Sequence, residues 1–129
     1  MKVALVAAPE AGQDALARFI DPSIMVVTKT WVTYLAKVIT DDPAYVDSPA
    51  FINDLKSVRA AMSSYDHIFY IPIYAWNIVD NGENKIDEDY RVQYDYNIVK
   101  ILNTCNVFCH TVPEAPAWDR AKFVMSVVE

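Results

Sequence analysis

The residues between Ala7 and Asp14 occupy the places where a phosphate-handling loop keeps its working parts. The frame G-x-x-x-x-G-K-[ST], set between a strand and a helix, cradles polyphosphate with backbone N–H groups, a lysine and a hydroxyl. On that frame Ala7 takes the first glycine, Gly12 the second, Gln13 the lysine and Asp14 the hydroxyl residue; Pro9 and Glu10 lie between. Only Gly12 keeps its residue type. Gln13 carries no charge, and Glu10 and Asp14 bring carboxylates to the place of the phosphates. Two unit charges ~4 Å apart repel by about 4 kcal/mol at an effective dielectric of 20, a large share of the roughly 8 kcal/mol in a micromolar affinity. Pro9, Gly12, Gln13 and Asp14 therefore read as a degenerate loop, a strand–turn–helix joint that takes no cofactor.

Other candidate chemistry is sparser. Asp14 and Asp47 could meet a cation, but two carboxylates are too few for a dedicated site. The run Cys105-Asn106-Val107-Phe108-Cys109-His110 invites a zinc or a nucleophile–base reading. Strand alternation sends both cysteines to one face and His110 to the other, so the core reading is preferred and no metal is expected. Asp87-Glu88-Asp89, with Asp80 and Glu83 before it, reads as a solvated loop and helix start, or as an acidic patch that steers a basic partner. Tyr74, Trp76, Tyr90, Tyr94 and Tyr96 gather near the same stretch. Tyr90 and Tyr94 share a helical face and Tyr96 lies away from them. Trp76 falls in a loop and is a candidate anchor for a partner or a second copy.

Composition narrows the function classes. The chain has 129 residues, 53% of them hydrophobic, with a formal charge of −6 and only two glycines and two cysteines. That length supports one domain over residues 1–129 with a core that needs no staples. The negative charge and the lack of a Lys/Arg run argue against a nucleic-acid partner. No apolar run reaches the ~20 residues of a membrane span. The apolar run after Lys2 is short and meets Glu10 and Asp14 at once, which favours a first strand over a signal peptide. Two cysteines four apart are poor disulfide partners, so a reduced, cytoplasmic setting is expected.

These residues need a scaffold, and the apolar pattern supplies one. Strands are predicted at Val3 to Ala7, Ile24 to Thr28, His67 to Ile73 and Val107 to Val112, with a weaker fifth at Ala44 to Val46. Helices are predicted at Gly12 to Ile20, Thr30 to Ile39, Ser48 to Ser63, Asp87 to Asn103 and Trp118 to Val128. Strand and helix alternate throughout. The expected fold is α/β, a three-layer sandwich with a mainly parallel sheet of four to five strands. Ligands of such sheets lie beyond the carboxyl ends of the strands, here the loops Ala8 to Ala11, Lys29 to Trp31, Tyr74 to Ile86 and Pro113 to Ala117.

With strand, loop and helix placed, the chain resembles the P-loop nucleotide-kinase branch of the AAA-like ATPases, including nicotinamide riboside kinase-like and phage nucleotide kinase-like proteins. Ala44-Tyr45-Val46-Asp47-Ser48-Pro49 is similar to the family's strand that ends in an Asp-Arg pair; the Asp falls on Ser48, or on Asp47 with a one-residue slip, and the Arg on Pro49. Ser64-Tyr65-Asp66-His67-Ile68-Phe69-Tyr70-Ile71-Pro72 resembles the family's fourth strand. Asp80-Asn81-Gly82-Glu83 followed by Asp87-Glu88-Asp89-Tyr90-Arg91 looks like its lid, with Arg91 kept and the first lid arginine missing. The last strand and the helix through Asp119-Arg120 also fit.

The resemblance implies a P-loop NTPase-like domain from which the loop lysine, the loop hydroxyl, the Asp-Arg pair and one lid arginine are gone. It points to a catalytically inactive kinase-like protein working through a protein partner or as a homo-oligomer, in the setting of a phage accessory or virion-associated protein. A second reading is a small nucleotide- or nucleoside-handling enzyme that keeps the acceptor side, with Asp47, Trp76, Asp80 and Arg91 lining it. A loop filled by its own side chains would count against that version. A third reading makes the chain flavodoxin-like or deoxyribosyltransferase-like, with the loop placement a coincidence. Strand order separates them: a central first strand with the Val46 strand beside it supports the kinase-like placement.

Overall fold

A computed structural model describes residues 1–73 and 88–129. Its sheet has four strands, β1 (Lys2–Ala7), β2 (Met25–Val27), β3 (His67–Ile71) and β4 (His110–Thr111), in the order β2-β1-β3-β4 and all parallel. β1 lies inside the sheet, and both its faces are buried. Val3, Leu5 and Ala7 enter one apolar cluster with α1 (Gln13–Ala17) and α5 (Ala117–Val128). Ala4, Val6 and Ala8 enter the other, with α2 (Trp31–Asp41), α3 (Pro49–Met62) and α4 (Glu88–Thr104). β3 alternates likewise, with Phe69 and Ile71 toward α5 and Ile68 toward α4. Burial on both faces is why Val3 to Ala7 is an unbroken apolar run. The α/β class, the parallel sheet and helices on both of its faces thus follow the sequence pattern.

Local chemistry sets the helix ends. Thr30 caps α2, accepting from the Thr33 N–H at 3.3 Å while the Thr33 hydroxyl oxygen accepts from the Thr30 N–H at 3.0 Å. Pro49 opens α3, where the missing N–H would have had no helical partner anyway. α4 is lashed to α2 by three side chains: Tyr90 donates to Asp41 (2.7 Å), Tyr94 to the Thr33 carbonyl (2.7 Å), and Asn97 to Thr40 (2.8 Å). Burial first pushes the pKa of both tyrosine hydroxyls up to about 12, helped by the Asp41 bond at Tyr90 and by Tyr90 at Tyr94, where Lys37 pulls the other way. Tyr90 and Tyr94 share the expected face, ring centroids 5.9 Å apart, and Tyr96 points to solvent.

One predicted element is absent. Ala44 to Val46 is not a strand; Pro43–Asp47 forms a 3₁₀ turn. The N–H of Tyr45 bonds to the Asp42 carbonyl and that of Ser48 to Tyr45, each at 3.0 Å, so the backbone closes on itself between Pro43 and Pro49. Tyr45 and Val46 still pack on the α2–α4 cluster, and this produced the apolar signal. The Tyr45 hydroxyl bonds to Asp54 on α3, pinning the turn. Other elements are shorter than the pattern suggested: α1 stops at Ala17, β2 spans Met25–Val27, β3 ends at Ile71, and β4 keeps only His110–Thr111. β2 and β4 are edge strands with one neighbour each.

Candidate functional site

The carboxyl end of β1 delivers the chain into the loop Ala8 to Gly12, which lies where a parallel sheet receives ligands. Two residues of this loop adopt left-handed backbone, Glu10 at φ 62° and Gly12 at φ 87°. Gly12 stands at the N-cap of α1 and supplies no side chain to it. Only glycine takes such an angle without a Cβ penalty, so the surviving glycine of the phosphate-loop frame has a backbone reason of its own. Glu10 takes it at a cost in strain that the surrounding contacts must hold.

Those contacts are made to the loop's carbonyl oxygens. The Gln13 amide folds back and donates to the Ala8 carbonyl at 3.3 Å. Arg91 donates from Nε to the Pro9 carbonyl at 2.8 Å and from Nη2 to the Glu10 carbonyl at 3.1 Å. Arg120 donates from Nη1 to the Ala11 carbonyl at 3.2 Å and from Nε to the Ala115 carbonyl at 2.7 Å. Every carbonyl from Ala8 to Ala11 therefore holds a side-chain donor. Arg91 is 1% exposed and Arg120 2%. A planar guanidinium suits this task, because its forked donors reach two adjacent oxygens at once. Arg91 comes from the first turn of α4 and Arg120 from α5, so the loop ties together helices on opposite faces of the sheet.

Both guanidiniums of this cluster face backbone carbonyl oxygens. Among the described residues the ion pair is Lys37–Asp41, on the exposed side of α2. Backbone carbonyl dipoles solvate the two guanidiniums, and Asp95, one turn beyond Arg91, stands near. The Tyr70 hydroxyl donates to Asp95 at 2.7 Å. Burial raises the Asp95 pKa from its ordinary value, against the opposing pull of the Tyr70 bond and the Arg91 charge. Among the described residues, Arg91 Nη1 and Gln13 Oε1 are left buried without a partner.

Among the described residues, the predicted site residues are not brought together as a cleft. Pro9, Gly12 and Gln13 sit in the clamped loop. Asp14 is exposed on the first turn of α1, and Asp47 is exposed at the end of the 3₁₀ turn. Trp76 and Asp80 fall outside the described residues, as do Tyr74, Glu83 and Asp87. Arg91, expected as an acceptor or lid group, lies under the loop with two of its nitrogens on the Pro9 and Glu10 carbonyls. Arg120 was matched only as part of a terminal helix, and its role was missed. The available signal was its place on an apolar helix face, four residues before buried Val124 and next to buried Ala121.

The cysteines pack as core. Both join the α2–α4 cluster, and burial pushes both thiols up. The strand-alternation argument for them is corrected, because Cys105 lies in the turn after α4 and Cys109 precedes β4. His110 stacks instead beside Phe69 (5.2 Å) and His67 (5.8 Å). Among the described residues no group of three or more His, Cys, Asp and Glu is gathered as metal ligands would be, and no helix is long and apolar enough to cross a membrane.

The strand order bears on the choice between folds. β1 is interior, but its neighbours are Met25–Val27 and His67–Ile71, and the Val46 strand required beside it is missing. The order 2-1-3-4 coincides with the first four strands of the flavodoxin-like arrangement 2-1-3-4-5. No protein-family model, curated protein or solved structure matches the chain.

Proposed function

We propose that this chain is a catalytically silent α/β protein that acts through protein–protein contacts, its β1–α1 loop serving as a structural joint. The observation that carries the proposal is the engagement of all the loop carbonyls from Ala8 to Ala11 by Gln13, Arg91 and Arg120. Phosphoryl transfer depends on positioning donors and cations around the transferred group. Here the cations face backbone oxygens, and an incoming phosphate would have to displace contacts made by buried guanidiniums. Against the nucleotide-handling alternative stands the burial of Arg91, one of its acceptor-side residues, on the Pro9 and Glu10 carbonyls.

The kinase-like ancestry and the phage setting belong to the same proposal and rest on the sequence resemblance. What favours the ancestry is the strand–loop–helix opening and a left-handed glycine at the frame's second glycine position. What favours a flavodoxin-like fold instead is the strand order. The non-catalytic reading is the same under either placement.

The test is calorimetric titration with ATP and GTP, with and without Mg²⁺, repeated by amide nuclear magnetic resonance, beside a turnover assay with nucleoside monophosphates as acceptors. The expected result is no saturable turnover and no triphosphate binding that disturbs the Gly12 and Gln13 amide resonances. Saturable phosphate transfer, or micromolar triphosphate binding at those amides, overturns it.

A further inference from the structure

A second place at the carboxyl end of the sheet has the makings of a ligand site, and it shares no residue with the β1–α1 loop. Directly after β2, an open groove of about 390 Å³ is lined by Lys29, Thr30, Trp31 and Tyr34. Its volume falls within the range of small-molecule pockets, about 300–1,000 Å³. Trp31 is 43% exposed and Tyr34 58%, although both are large aromatics. Their rings meet edge to face, with centroids 5.6 Å apart at 86°. Neither the indole N–H nor the phenol hydroxyl has a hydrogen-bond partner among the described residues.

The wall is held in shape. Thr30 is buried, and its reciprocal bonds with Thr33 fix the entry to α2 between Lys29 on one side and Trp31 on the other. Lys29 is exposed and makes no ion pair among the described residues. It is also the one charged group among the described residues lining the groove, in a chain of net charge −6.

We propose that this groove binds a small aromatic monoanion of the aryl carboxylate class. The flat ring packs against Trp31 and Tyr34, and the carboxylate meets the Lys29 ammonium. Charge complementarity sets the class. Among the described residues that line it there is one lysine, with no arginine fork and no second cation, which matches a single negative charge, whereas a dianionic phosphate calls for more donors than these residues offer. The net negative field of the chain works against polyanions as well.

Nuclear magnetic resonance tests this on the intact protein with 2-naphthoate as the probe. The Trp31 indole cross-peak is identified by its loss in Trp31→Phe. The expected result is a saturable shift of that peak and of the amides of residues 29–34, with binding at least tenfold weaker in Lys29→Glu and in Trp31→Ala. Lys29 is exposed, so Lys29→Glu keeps the test valid if Trp31→Ala fails to fold. Trp118→Ala is the control: Trp118 also pairs with an aromatic, Phe19, and lies under Lys122 at 5.5 Å. It should leave binding unchanged. Equal affinity for acetate removes the role of the ring, and equal affinity for 2-naphthol removes that of the charge. Tighter binding of phenyl phosphate overturns the monoanion assignment. No saturation with 2-naphthoate at millimolar concentration, or full binding by Lys29→Glu, overturns the site.

Discussion

Replacing Arg91 by methionine removes the guanidinium while keeping most of the buried stem. The Pro9 and Glu10 carbonyls then lose donors at 2.8 and 3.1 Å. A hydrogen bond to a charged group contributes about 1.5–3 kcal/mol, and a buried oxygen left without a partner carries a further desolvation penalty of its own. Methionine also removes the buried, unpartnered Nη1, which offsets part of the loss. The net expectation is a destabilisation of about 3–5 kcal/mol, a large fraction of the roughly 5–15 kcal/mol that holds a domain folded.

Urea denaturation followed by far-ultraviolet circular dichroism measures it. At a slope of about 2 kcal/mol per molar, a loss of about 4 kcal/mol lowers the midpoint by about 2 M. Arg91→Lys should fall between the two, since an ammonium reaches one carbonyl where the fork reaches two. Arg120→Met attacks the same loop from α5, so the double variant should deviate from the sum of the singles. A midpoint for Arg91→Met within about 0.5 M of wild type, at unchanged slope, would refute the view that the guanidinium holds the loop.

Three further outcomes follow from the same geometry. Burial raises the Asp95 pKa in the folded state, so between the unfolded carboxylate pKa and the raised folded value the folded protein holds a proton there that the unfolded chain releases. That contribution is full below the unfolded carboxylate pKa and is lost as pH rises through the raised folded value; Asp95→Asn should therefore be more stable than wild type at neutral pH and match it in acid, as thermal melts across pH will show. Gly12→Ala places an L side chain at φ 87° and should cost about 1–2 kcal/mol. Its Cβ would lie 3.4 Å from Arg120 Nη1, which is ordinary contact, so the penalty is one of backbone angle, and Gly12→Asn should recover part of it in the same denaturation assay. Cys105 and Cys109 are held protonated by burial, so an aromatic disulfide reagent should modify them slowly in the native protein and at once in denaturant.

Much of the fold is legible because its signals are local. Val3 to Ala7 is apolar at every position, which only a strand covered on both faces sustains, and Thr30 and Pro49 mark helix starts by their own chemistry. The errors lie where context decides. Ala44 to Val46 carries a strand's residue types, yet the prolines at 43 and 49 leave the backbone no room to join the ladder. Edge strands β2 and β4 shrink because one neighbour gives half the pairing that β1 enjoys.

The site was harder to read for a related reason. Gln13 in place of lysine suggested a loop stripped of positive charge. The fold returns that charge from α4, 82 residues from the loop, and from α5, 109 residues away. No spacing rule reaches so far. What the sequence did offer was an incongruity at both positions: Arg91 shares a helical face with Tyr94 and Ile98, and Arg120 with Val124. An arginine on an apolar face must either reach solvent or find oxygens inside. Loop carbonyls are the densest supply of such oxygens at the end of a buried parallel strand, where the ladder has stopped and the helix has not yet begun. The same reasoning separates the two sheet-end sites. At the β1–α1 loop the guanidiniums are buried against backbone carbonyls, whereas at the groove after β2 the lysine is exposed beside two exposed aromatic rings, the better placed of the two to offer its charge to a ligand.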